Sequence, residues 1–334
     1  MTEKEFNKLL AEVMKLHRKG NQNIPARRIE TSSEAISKKY ATAYKKIFKE
    51  LHGQLADNFG VLSSPSYQSH LALMQLIEKR MTELDSVVAQ VVKQELEESY
   101  VTAKLFHALA SETIKDIEAL KGAVPYSTLN TFKMEQIVQD TMDDLLFTTQ
   151  HTSKELKKLV REVFSKNLQY HTLKEENQKE IKKIIEKELS RNGLKDSLNK
   201  KGFIGLVDKS GRRWSTKNYV DMAVKTKLNQ AYVEGLKDRA VETGFDMAVI
   251  PEKGAKDGCR YFEGMLISLT GTAKGFPTYD SLQSTGLIFH PRCVHSPFPV
   301  GDISLLPQED IDRHNEKVRG LKSVTAVKRK NKNL

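Results

Sequence analysis

Glycine and proline are spread so unevenly along this chain that they divide it into two kinds of polypeptide. Residues 1–192 hold 4 of the 18 glycines and 3 of the 9 prolines, which leaves 14 and 6 for residues 193–334. Relative to alanine, a glycine inside a helix costs about 1 kcal/mol and a proline about 3 kcal/mol. The first part can therefore run in long helices, whereas the second must turn often. The change falls near Gly193 to Gly202. The predicted class is α+β: a mainly α-helical region over 1–192, built as a bundle or as long helices, followed over 202–300 by a small α+β module with a long pinned loop.

Local signals agree with that division. Thr2 and Glu5 have capping-box spacing, and Phe6, Leu9, Leu10, Val13 and Met14 follow at helical intervals. Ile36, Tyr40, Ala43, Tyr44, Ile47, Leu51 and Leu55 mark a second helix, expected to stop near Gly53 to Gly60. A third segment runs from about Pro65 to beyond Ala110 without an internal glycine, and Leu73, Ile77, Met81, Leu84, Val88, Val91 and Val92 keep one apolar face. Thr152 to Arg191 is a charged helical run whose buried positions are Leu156, Leu159, Val160 and Val163, then Ile181, Ile184, Ile185 and Leu189.

The second part changes period. Phe203 to Val207, the turn residues Asp208 to Gly211, and Arg212, Arg213 and Trp214 read as a β-hairpin. Ser215 or Thr216 can cap a following helix, whose stripe is Val220, Val224, Leu228, Ala231, Tyr232 and Gly235 and whose end is Gly244. Asp246 to Ile250 and Met265 to Leu269 have strand character, and the glycines between and after them make a loop that needs something to hold it.

Charge sets limits on function. The net +11 arises from 54 basic and 43 acidic residues. Arg313 to Leu334 contains eight basic side chains against Glu316 alone, so +7 of the excess lies there. That segment is expected to be a basic, disordered tail, with Lys322, Lys328, Arg329, Lys330 and Lys332 as candidate contacts to nucleic acid. Arg212 and Arg213, beside the single Trp214, form a second candidate contact. The first residues, MTEKEFNKLL, carry acids and no apolar run, and no stretch approaches the ~18 apolar residues that span a bilayer. A soluble protein without membrane contact is expected. Phosphate-binding glycine loops, H-E-x-x-H and G-x-S-x-G are missing from the sequence, so no enzyme class is indicated.

The densest chemistry lies between Asp257 and His295. Both cysteines of the chain, Cys259 and Cys293, fall there together with His290 and His295. The two residues between His290 and Cys293 suit a knuckle turn around a metal, and Cys293 and His295 alternate, so an extended backbone aims both to one face. With Cys259 they make four soft or borderline ligands of the kind one structural Zn²⁺ takes, with Asp257 as an alternative ligand or as a support hydrogen-bonded behind one. Buried thiols and hydrogen-bonded histidines are the simpler reading of the same residues.

A longer series of residues resembles a known family. Gly205, Val207, Asp208, Gly211, Arg212, Arg213, Trp214, Tyr219, Met222 and Thr226, then Gly244, Asp257, Cys259, Gly264, Ser268 and Gly271, and finally His290, Pro291, Cys293 and His295 occur in the order and spacing of phage minor capsid proteins of the head-morphogenesis type, encoded beside the portal protein in tailed phages and prophages of Gram-positive bacteria. The resemblance covers about 202–299. Lys225 and Val294 stand where the family usually has arginine, and Phe262 where some members carry a further cysteine.

The resemblance implies a structural virion protein in the capsid interior near the portal, assembled in the host bacterial cytoplasm. Portal and scaffold or major capsid proteins would be its partners, the helical region would meet them, and DNA would be a further contact. It implies no established reaction. The rival from another class is a nuclease or toxin-like enzyme built on 202–299, using His290, His295 and Asp257 with Arg212 and Arg213 on phosphate.

Overall fold

The computed structural model describes residues 1–61, 67–111, 114–126, 130–171, 206–207, 211, 213–291, 293–302, 304 and 306–331. Among the described residues five helices come first: α1 (Glu3–His17), α2 (Ile24–Val61), α3 (Tyr67–Ser111), α4 (Ile117–Ala123) and α5 (Thr131–His171). Then follow β1 (Leu206–Val207), β2 (Arg213–Trp214), α6 (Thr216–Thr243), β3 (Met247–Val249), β4 (Leu266–Ser268), α7 (Tyr279–Gln283), β5 (Phe298–Pro299) and α8 (Gln308–Asn331). This is the expected α+β class, mainly helical first and small-sheeted later. The sequence boundary at 193–202 lies outside the described residues.

Helix ends follow the local signals. Thr2 and Glu5 close a reciprocal capping box on α1, and Asn130 Oδ1 accepts the Lys133 N–H at 3.2 Å to start α5 well before Thr152. The later half of the charged run, from 172 onward, is outside the described residues. Helix α2 continues through Gly53 and ends at Val61, next to Gly60. A single glycine costs a long helix only about 1 kcal/mol, which neighbouring turns can offset. Gly244, at φ +79°, ends α6 as predicted.

The chain forms two compact units, each assembled from separated segments: 1–32 with 93–138 and 225–334, and 33–92 with 139–224. In the second, Ile47, Leu51, Leu73, Ile77, Met81, Leu156 and Val160 from α2, α3 and α5 form one buried cluster. The β1–β2 hairpin belongs to this unit, with Leu206 opposite Trp214 and Val207 opposite Arg213.

In the first unit, α1 buries Phe6, Leu9, Leu10, Val13 and Met14, and Phe6 meets Tyr126 edge-on at 5.6 Å between ring centroids. Helices α3 and α6 cross where Gly235 leaves no room for a side chain: a Cβ there would stand 2.2 Å from the Tyr100 carbonyl oxygen. Tyr100 Oη donates to Asp238 at 2.6 Å and Lys104 Nζ to Glu242 at 2.5 Å. Both pairs advance by four residues, so the helices run the same way at this contact.

Three antiparallel strands in the order β4-β3-β5 lie beside these helices. Ala248 faces Ile267 on one side and Pro299 on the other. Asp246, just before β3, is buried and holds the loop after β4. Its carboxylate accepts from the hydroxyl of Ser268, from N and Oγ1 of Thr270 at 2.7 Å each, and from the backbone of Thr272 and Ala273 at 3.1 and 3.0 Å.

The basic segment from Arg313 starts inside α8, which runs to Asn331. Its first turns are anchored: His314 is 4 % exposed, its Nδ1 accepts the Leu266 N–H at 3.2 Å, and its ring packs on Phe276. Counting lysines and arginines overlooks a buried histidine among them. Among the described residues, no helix is long and apolar enough to cross a membrane.

Candidate functional site

The loop from β3 to β5 brings the Cys–His residues together. Asp257 caps a 3₁₀ turn over Gly258–Tyr261, its Oδ1 accepting the Cys259 N–H at 3.1 Å. This turn fixes Cys259, 1 % exposed, facing the far end of the loop. There the backbone changes direction at Phe289, whose φ of +54° lies in the left-handed region that an aromatic residue rarely occupies. The Tyr279 ring stacks on Phe289 at 4.4 Å and holds it in place. A turn follows over the two-residue gap, closed by the Cys293 N–H donating to the His290 carbonyl at 2.8 Å.

The four candidate ligands meet in two overlapping groups joined at Cys259. Cys259 Sγ is 3.3 Å from His290 Nε2 and 3.7 Å from Cys293 Sγ, and Cys293 Sγ is 3.5 Å from His295 Nδ1. They form two sets of three sharing Cys259: Cys259, Cys293 and His295, and Asp257, Cys259 and His290. Asp257 Oδ2 lies 3.8 Å from His290 Nε2.

Glu263, which sequence reasoning passed over, completes the arrangement. Its Oε1 accepts from His295 Nε2 at 2.9 Å and from the backbone N–H groups of Lys253 and Ala255 at 2.9 and 3.0 Å. Nothing in its spacing marks it out; only the pairing of β3 with β4 carries it back to His295. Asp257, read from sequence as an alternative ligand or a support behind one, stands beside His290.

These contacts set the ionisation. Burial pushes the Cys259 thiol up, and the neighbouring Cys293 adds to that. Burial also opposes ionisation of Cys293, but hydrogen bonds from the His295 side chain and backbone outweigh it and bring this thiol to about 7. For His295, burial disfavours the charged ring, and Cys293 and Glu263 more than compensate, raising its pKa. Glu263 is held below the usual carboxylate range because His295 and the two backbone donors outweigh its burial. The group can therefore hold a soft cation or an internal thiolate–imidazolium pair. His295 is buried with one nitrogen toward Cys293 and the other toward Glu263, which leaves it no nitrogen for a substrate.

A groove of 270 Å³ opens along α6 beside this cluster, lined by Lys225, Glu234, Lys237, Tyr279, His290 and Cys293 among others. Of the candidate nucleic-acid contacts, Arg213 lies on β2, in a different unit from the Cys–His loop. Arg212 and Lys332 are outside the described residues. Lys322, Lys328, Arg329 and Lys330 lie in α8, with their side chains outside what is described.

No curated protein and no solved structure matches the chain significantly. The model of the family described as Phage minor capsid protein 2 matches residues 27–330. That span contains every element from the first full turn of α2 to the end of α8, with the Cys–His loop inside it, and the chain therefore belongs to the phage minor capsid protein 2 family.

Proposed function

We propose that this protein is an internal component of the phage head, placed beside the portal and built in during assembly in the bacterial cytoplasm, with the basic half of α8 touching packaged DNA. The observation that carries the reading is the family match over 27–330. Membership makes the chain a structural virion protein that assembles with other virion proteins. The position at the portal, the scaffold or major capsid contact and the DNA contact are the added steps. Support for the last is the charge of Arg313 to Leu334, eight basic side chains against one acid.

Cross-linking mass spectrometry on procapsids tests the position. Cross-links from this chain to the portal protein are expected, and cross-links confined to tail proteins would overturn it. For DNA, removal of 322–334 takes away Lys322, Lys328, Arg329, Lys330 and Lys332 and should weaken binding. The slope of log affinity against log salt should fall by roughly one for each phosphate that the shortened chain no longer neutralises. An unchanged slope would remove the DNA contact from the proposal.

A further inference from the structure

We infer that Cys259, His290, Cys293 and His295 are the ligands of one structural zinc ion, with Glu263 as the residue that orients His295. Three of the six ligand–ligand separations are those of a tetrahedral shell, and the other two edges from His290 close when its ring moves toward Cys293. With Zn–S near 2.3 Å and Zn–N near 2.05 Å, tetrahedral angles put two sulfurs about 3.8 Å apart and a sulfur and a nitrogen about 3.6 Å apart. The observed values are 3.7 Å for the two sulfurs, 3.3 Å for Cys259 to His290 and 3.5 Å for Cys293 to His295. Three edges of the tetrahedron are already at nearly the right length.

The two histidines are also set up as ligands. A metal-binding imidazole directs one nitrogen at the ion and donates the other N–H to a carboxylate or carbonyl, which fixes its tautomer and its orientation. His295 turns Nε2 to Glu263 and Nδ1 to Cys293. His290 turns Nδ1 to the Pro291 carbonyl at 2.9 Å and Nε2 to Cys259. Glu263 is itself held by two backbone donors, so it is a fixed support. Mutually hydrogen-bonded thiols would not require this arrangement on the outer side of both rings.

The set Cys259, Cys293 and His295 is closed as it stands, and His290 joins it through Cys259. Its side chain is 28 % exposed, which leaves it room to shift toward Cys293 as the ion binds, and the groove along α6 gives an ion a way in. Two thiolates and two imidazoles favour zinc over magnesium or calcium, which take oxygen ligands. With four protein ligands, no position is left for substrate or water, so the ion would clip the loop after β3 to the segment before β5.

The test uses the full chain purified without chelator. Native mass spectrometry should find one zinc per chain, and Co²⁺ replacing it should give a thiolate-to-cobalt charge-transfer band with tetrahedral ligand-field absorption. Both thiols should resist alkylation until a chelator is added. Glu263→Gln should weaken zinc binding 10- to 100-fold, on the order seen when a metal-ligating histidine loses its support, and keep the tetrahedral cobalt spectrum. A wild-type chain that takes up no zinc from a stoichiometric zinc salt, or that holds a Cys259–Cys293 disulfide when taken from reducing cytosol, would overturn the site. If Asp257→Asn rather than His290→Ala abolished binding, the ligand set named here would be wrong. Should the His290→Ala or Asp257→Asn variant fail to fold, the wild-type stoichiometry and cobalt spectrum still decide.

Discussion

Glu263 Oε1 lies 2.9 Å from His295 Nε2, and the same oxygen accepts the N–H groups of Lys253 and Ala255. One carboxylate thus ties the chain leaving β3 to the chain approaching β5. Glu263→Ala strands two backbone donors and a ring nitrogen in a buried place, at a cost of roughly 2–4 kcal/mol. Glu263→Gln keeps an acceptor oxygen and should cost about 1 kcal/mol. Urea unfolding of the metal-free protein measures both; equal losses would show that charge, and not the acceptor, is what matters.

Gly235→Ala pits two effects against each other. Alanine favours an isolated helix by about 1 kcal/mol, but its Cβ would meet the Tyr100 carbonyl at 2.2 Å and the Ala103 Cβ at 2.9 Å. The obstruction is backbone, so α3 and α6 must part and disturb the Tyr100–Asp238 and Lys104–Glu242 pairs. Net destabilisation of about 1–3 kcal/mol is expected by thermal denaturation. A stabilised variant would mean that the helices separate freely.

Asp246 gives the fold an acid limit. Burial would raise its pKa, but donors from Ser268, Thr270 and Ala273 outweigh that and hold it below the ordinary value. A carboxyl depressed in the folded state stabilises above its unfolded pKa, near 3.9, and loses that contribution as pH falls through the folded value. Asp246→Asn should therefore lower stability at pH 7 by roughly 2 kcal/mol and flatten the loss of stability below about pH 4. An acid limb of the same steepness in both proteins would contradict this assignment.

Asp85 works in the opposite sense. Burial raises it to about 6 against only the Thr149 hydroxyl, which donates at 3.1 Å, and its other oxygen is buried without a hydrogen-bond partner among the described residues. Its contribution is full below the unfolded pKa and is lost as pH rises through about 6. Asp85→Asn should stabilise the protein at pH 7 by about 1 kcal/mol, with the gain fading towards pH 4. A loss of stability at both pH values would point to a cationic partner for Asp85.

Much of the fold can be read from the chain because its cues are local. The Thr2–Glu5 box, the Ser215–Thr216 start of α6, the Gly244 end and the hairpin around Gly211 each depend on a few adjacent residues. Cys259, His290, Cys293 and His295 are likewise identifiable, since thiols and imidazoles are scarce enough to stand out. Glu263 is hidden among 43 acidic residues, because its role depends on strand register and not on neighbours. His314 is masked by the surrounding lysines and arginines, and its burial depends on β4, nearly fifty residues away. The interleaving of the two units has no local signature, since helix periodicity shows which face is buried but not against which partner.

That interleaving bears on how the protein is made. The unit holding the Cys–His loop joins residues 1–32 to residues 225–334, with Asn23 Nδ2 donating to the Glu252 carbonyl at 3.0 Å and Lys225 paired with Glu30 at 3.2 Å. Contacts so distant in sequence form slowly, because the intervening chain must be ordered before they bring any gain. On the ribosome, the opening helix must wait for some two hundred residues of later synthesis before its own unit can close. The unit that carries the Cys–His loop can therefore close only after residues 225–334 have been made, however early its first helix emerges.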